Sequence, residues 1–167
     1  MREILNVDEF KEEDCGTPAD GATPDDNMSL LLPSNSTIDL KGLHPPPAHI
    51  FFLWQKFLDR VNPVTKVIHV PTLQPIVAEA ATNINTIPQN VEALLFSIYT
   101  MAAVALTEEE SVAALGYPRR EAVDRFSRGV RIALMRIDIL RNYDLVILQA
   151  MVLYMVRGSE GLSVADD

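Results

Sequence analysis

Apolar residues recur at helical spacing through most of the chain beyond residue 43. Ile50, Trp54, Phe57, Leu58 and Val61 stand at i, i+4, i+7, i+8 and i+11, one face of a helix predicted over residues 48–61. Phe51 and Leu53 broaden that face, and Gln55, Lys56, Asp59 and Arg60 lie outside it. Pro45, Pro46 and Pro47 stiffen the approach and suit a helix start just after them. Asn62-Pro63 is expected to stop the helix, because the residue before a proline avoids helical geometry. Residues 64–70 alternate loosely as a short extended connector. Thr72 is placed to cap a second helix reaching about Asn83, with Pro75 in its first turn.

The pattern then changes character. Over residues 88–106, Val91, Leu94, Leu95, Ile98, Tyr99 and Ala102 form one face, while Phe96, Met101 and Val104 carry apolar surface round to the other. A helix apolar nearly all round is buried, so this one is expected at the centre. Thr107 with Glu110 matches a capping box and opens a short helix ending at Gly116. The next helix, over residues 118–140, buries Ala122, Val123, Phe126, Val130, Ala133, Leu134 and Ile137 and turns arginines outward. Residues 142–144 break the chain. The last helix, residues 145–156, is apolar except for Gln149 and is expected to be buried. Its length, about 18 Å at 1.5 Å per residue, is too short for a membrane crossing. The predicted fold is all-α, an irregular bundle of about six helices.

Charge divides the chain differently. The 167 residues carry a net charge of −9. Ten of the acids fall in residues 1–42, against three bases, so the helical part is nearly neutral. The first 42 residues also hold Gly16, Pro18, Gly21, Pro24 and Pro33, and are expected to form a disordered acidic leader. Mixtures of acids and apolar residues can serve as activation segments; composition favours a solvated linker. Residues 43–157 are expected to form the folded domain and 158–167 a flexible tail. An acidic chain lacks the basic surface that general nucleic-acid binding needs. A single cysteine, Cys15, excludes an intrachain disulfide and a cysteine-based zinc cluster, and fits a reducing compartment. No apolar run of signal-peptide length follows the charged amino terminus.

Candidate chemistry is sparse. The aromatic side of the first helix, with Phe51, Trp54 and Phe57, reads as core at ordinary helical spacing, with the lining of an apolar ligand pocket as its alternative. His44, His49 and His69 match no metal-ligand spacing. The arginines of residues 118–140 are diluted by Glu121, Asp124 and Asp138 and read as a solvated face, with i, i+4 pairs available from Glu121 to Arg125 and from Asp124 to Arg128. Ser97, Ser111 and Ser127 sit in no nucleophile pattern, and the phosphate-loop pattern is absent. An enzyme is not expected.

Leu43-His44-Pro45, Leu53-Trp54-Gln55 with Phe57-Leu58, Val61-Asn62-Pro63, Thr65-Lys66 and His69-Val70-Pro71-Thr72-Leu73 together resemble the opening of the fungal-specific transcription factor domain. This is the helical middle homology region of fungal zinc-cluster regulators. The resemblance continues more loosely to about Arg157, where Leu148-Gln149-Ala150 with Leu153-Tyr154 resembles a family helix, and it covers roughly two thirds of the chain. It implies a regulatory domain that restrains or tunes activation, sometimes in response to small molecules. The family's six-cysteine, two-zinc DNA-binding cluster has no counterpart in these residues, so no cofactor and no direct DNA binding are expected of this chain. Family members carry further helices beyond residues 145–156, so an apolar patch is expected on that last helix. The reading is a transcription regulator, or a truncated piece of one, acting through protein contacts in the nucleus, with the cytoplasm as the alternative. The expected partner is a full-length relative, a second copy or the transcription machinery, and no membrane. Trp54, Phe57, Leu148, Met151 and Tyr154 are the candidate contact residues. A free-standing helical protein binding an apolar small molecule, in a pocket between the first, central and last helices, is the alternative function.

Overall fold

The structure, a computed structural model, describes residues 40–137 and 144–160, with the backbone alone for 158–160. Among these residues every regular element is helical: α1 (Pro47–Lys56), α2 (Asn62–Thr65), α3 (Val70–Thr82), α4 (Gln89–Val104), α5 (Glu108–Leu115), α6 (Arg119–Arg136) and α7 (Leu145–Glu160). The all-α bundle is thus observed, with six helices of eight residues or more and the single turn α2. Most of the expected leader, at residues 1–39, and the end of the tail, at 161–167, lie outside the described residues. The leader's last residues do not: Leu40–Leu43 form a 3-10 turn packed on α6, and Leu40 is buried.

The prolines act where they stand. Pro46 is extended, Pro47 occupies the first turn of α1, and the helix starts there. Ile50, Leu53, Trp54, Phe57 and Val61 are buried, Leu58 is half-buried, and Phe51 is half exposed. Asn62-Pro63 does not stop the chain as expected. Phe57–Val61 widen into a π-turn, in which the Asn62 N–H donates to the Phe57 carbonyl, and Asn62–Thr65 continue as helix. The widened turn gives room to a proline ring that in a regular α-helix meets the carbonyl four residues back. The chain leaves the helix at Lys66, in the left-handed region at φ 49°. The connector between the helices is therefore only residues 66–69, with a bend at Ile68. α3 begins at Val70, two residues before Thr72, with Pro71 in its first turn. Thr72 caps nothing; its hydroxyl lies 2.7 Å from His69 Nδ1. Pro75 sits inside α3, beyond the first turn.

α4 is the central helix. Every residue from Ala93 to Ala103 is buried, because α1, α6 and α7 all pack on it. Such wrapping needs small residues at the closest approaches. Gly129 of α6 faces Phe96 so closely that an added Cβ would lie 2.3 Å from the ring. The Ser97 hydroxyl lies 3.0 Å from the carbonyls of both Ala93 and Ala150, sharing its proton between α4 and α7. The Phe96 ring has little freedom to retreat: His44 stands 4.2 Å away and Tyr99 5.9 Å, centroid to centroid, and Tyr99 packs on Phe126 in turn. His44 is held by its Nε2, 3.1 Å from Glu92 Oε1.

The capping box at α5 forms as predicted. The Thr107 hydroxyl accepts from the Glu110 N–H, and Glu110 accepts from the Thr107 N–H. Glu110 also pairs with Lys56 at 2.7 Å and with Arg60 at 2.6 Å, pinning α5 to the end of α1 and the π-turn. These partners, Arg60 first, lower its pKa from 4.5 to about 2. Gly116, at φ 84°, closes α5 in the left-handed region that glycine enters freely. α6 ends at Arg136, with Ile137 extended, four residues earlier than expected. α7 runs past Val156 to Glu160, so 158–160 continue the helix where a flexible tail was expected.

Candidate interaction surface

α7 is apolar on both sides and is covered on one. Asp144 precedes it, and its carboxylate accepts from the Val146 N–H at 3.1 Å and from the Asn90 side chain. Those two hydrogen bonds, the backbone one first, lower its pKa. Ile147, Ala150 and Leu153 are buried, and the helix lies along α4. Gln149 Nε2 donates to the Val67 carbonyl at 2.8 Å and fixes the helix to the α2–α3 connector.

The opposite side is apolar and open. Leu145 is 68% exposed, Leu148 56%, Val152 44% and Met155 61%. Their spacing of three, four and three residues is a heptad seam, the pattern by which one helix accepts another. Elsewhere among the described residues only Phe51, Val64 and Val112 are large, apolar and this exposed, each on a separate element. Isolated exposed apolar residues are ordinary; a contiguous row marks a contact surface.

The five sequence-predicted contact residues do not come together. Trp54 and Phe57 are 6% and 0% exposed and lie parallel and offset, centroids 6.1 Å apart and planes 9° from parallel. Both belong to the core. Leu148 lies in the middle of the open row. Met151 and Tyr154 are half-buried at its shoulder, and the Arg157 guanidinium lies 5.8 Å from the centre of the Tyr154 ring. Leu145, Val152 and Met155 were missed because a helix apolar nearly all round reads as wholly buried. Their heptad spacing was the available signal. Among the described residues no three His, Cys, Asp or Glu side chains stand close enough to hold a metal ion. No helix there is long and apolar enough to cross a membrane.

The described part of the chain is a helical fold that carries one open apolar row, on α7. Comparison with known proteins gives its kinship. The chain is 48% identical over 162 residues to pyriculol/pyriculariol biosynthesis cluster transcription factor 1 of Pyricularia oryzae, a match covering 93% of this chain and 21% of that protein. It is 41% identical over 131 residues to the transcriptional regulator AacuB of Aspergillus aculeatus, covering 78% of this chain and 18% of that protein. The aurofusarin cluster transcription factor aurR2 of Gibberella zeae is 34% identical over 134 residues, covering 80% and 20%. More distant relatives bear the name C6 finger domain transcription factor. The chain therefore belongs with the fungal zinc-cluster transcription factors, and it spans about one fifth of the length of the curated relatives it matches. No protein-family model and no solved structure matches it.

Proposed function

We propose that this chain supplies part of the helical regulatory segment of a fungal transcription regulator and works in the nucleus through protein contacts. The observation that carries the reading is the open row Leu145, Leu148, Val152 and Met155 on a helix whose other side is core. A heptad row binds an amphipathic helix through interlocking side chains. We take the partner to be another zinc-cluster chain, a full-length homologue or a second copy. Kinship with transcription factors rather than enzymes supports a regulatory role. In this reading the residues of this chain hold no cofactor, because one cysteine does not make a zinc cluster. The pocket reading has no comparable support, since Trp54 and Phe57 are packed against each other.

The test is a binding assay between the purified full chain and a full-length zinc-cluster homologue, with the chain itself as the second bait. Binding to either that is lost in Leu148→Glu/Met155→Glu, with helicity retained, is the expected result. Equal binding by wild type and variant, or no binding by wild type to either bait, contradicts the proposal.

A further inference from the structure

The open row of α7 holds one atom with redox chemistry of its own. Leu145, Leu148 and Val152 end in hydrocarbon, whereas Met155 ends in a thioether. Exposure also sets Met155 apart from the other methionines among the described residues. It is 61% exposed, Met101 is buried in α4, and Met135 on α6 and Met151 on α7 are half-buried. A thioether reacts as far as an oxidant can reach its sulfur, so Met155 is the first of these to be oxidised.

Met155 also stands where a change of polarity matters. It is the last position of the heptad row, where a seated helix covers it. A thioether suits that place, being apolar, unbranched and adaptable. A sulfoxide does not, because its oxygen is a strong hydrogen-bond acceptor. The neighbours one turn back, Met151 and Val152, carry no donor. Arg157, two residues on, does not share that face, and its guanidinium lies 5.8 Å from the centre of the Tyr154 ring. An acceptor buried without a donor opposes binding. On the free chain the same oxygen stays in water, and Ile147, Ala150 and Leu153 keep their burial on the other side of α7. Oxidation there acts on docking and leaves the fold alone.

We infer that Met155 is an oxidation site through which hydrogen peroxide closes the α7 row to a partner helix. The inference rests on the docking role proposed above for that row. In the step, a sulfur lone pair attacks one oxygen of the peroxide and forms the S–O bond. The O–O bond breaks, the displaced hydroxide takes the proton from the new oxygen, and water leaves. The sulfur loses two electrons and the peroxide gains them. The return to the thioether takes two electrons from a pair of thiols, which become a disulfide, and the oxygen leaves as water. A partner already seated covers the sulfur, so the oxidation acts on the free chain.

The test uses the full chain without substitutions. It is treated with dilute hydrogen peroxide until Met155 is partly converted, then passed over the two baits of the assay above, the full-length homologue and the chain itself. Mass spectrometry reads the sulfoxide at each methionine in the bound and unbound fractions. Met155 is expected to convert ahead of Met101, Met135 and Met151. Its sulfoxide is expected to be enriched about tenfold or more in the unbound fraction, with sulfoxides at Met1, Met28, Met101 and Met135 shared evenly. Helicity is unchanged, and methionine sulfoxide reductase with a thiol returns the unbound chain to the bound fraction. Even sharing of the Met155 sulfoxide overturns the inference and leaves the docking reading standing. So does slower conversion of Met155 than of Met135 or Met151, enrichment confined to another methionine, or a loss of helicity on oxidation. Untreated chain that binds neither bait overturns the docking reading and the inference together.

Discussion

α6 and α7 pack against the same central helix and end at water in opposite ways. α6 buries Ala122, Phe126, Val130 and Leu134 and turns Arg119, Arg120, Glu121, Asp124 and Arg128 outward. α7 buries Ile147, Ala150 and Leu153 and turns Leu145, Leu148, Val152 and Met155 outward. The first is an outer layer of a fold; the second has the composition of an inner layer. The contrast shows that helix burial is decided face by face.

The largest expected effects lie where both helices meet α4. Phe96→Ala removes a ring packed among His44, Tyr99 and Gly129 and should cost about 3–5 kcal/mol in denaturant unfolding. Leu153→Ala, on the buried side of α7, should cost about 2–5 kcal/mol. If it costs nothing, α7 is not part of the folded unit and the comparison fails. Gly129→Ala ordinarily favours a helix, yet here the methyl meets the Phe96 ring, and a loss of about 1–3 kcal/mol is expected. Phe96→Leu in the same chain should recover part of that loss, since the two changes share one contact.

A smaller effect belongs to the corner where α5 meets the end of α1 and the π-turn. Glu110 titrates at about 2 in the folded chain against an ordinary 4.5, because Arg60 and Lys56 hydrogen-bond its carboxylate. A lowered folded pKa means stability that is fully present above 4.5 and is lost as pH falls toward 2. Glu110→Gln should therefore flatten the acid limb of stability against pH in that window, with little change in slope near neutrality. An unchanged acid limb would show that the ion pairs do not hold α5. The smallest effect is expected at Leu148→Glu, within about 0.5 kcal/mol of wild type, because the side chain already faces water.

How far these features could be read from sequence depends on whether their causes are local. The Thr107–Glu110 cap, the Gly116 stop and the central place of α4 follow from residues within one or two turns, and all three are observed. The continuation past Asn62-Pro63 was not legible. A proline stop is the ordinary outcome, and the π-turn that circumvents it leaves no mark in composition. The outward row of α7 was half legible. The sequence resemblance led to an apolar patch on that helix, but not to which residues make it. Helical spacing fits Trp54 and Phe57 to the core, and they are buried there. Arg125 was assigned to a solvated face, and no local rule joins it to the carbonyls of Gly42 and Leu43, more than eighty positions away.

Side-chain footprinting of α7 tests the central claim most directly. The full chain is exposed to a brief pulse of hydroxyl radicals, alone and with the bound zinc-cluster homologue, and labelling is read at Leu145, Leu148, Val152 and Met155. Met155, whose thioether oxidises readily, is the most sensitive reporter. The account predicts strong labelling of all four in the free chain and protection of all four in the complex, with Leu153 protected in both. Protection of the row in the free monomer would mean that this face is already core. Unchanged labelling on binding would mean that the partner sits elsewhere, and either result would contradict the account.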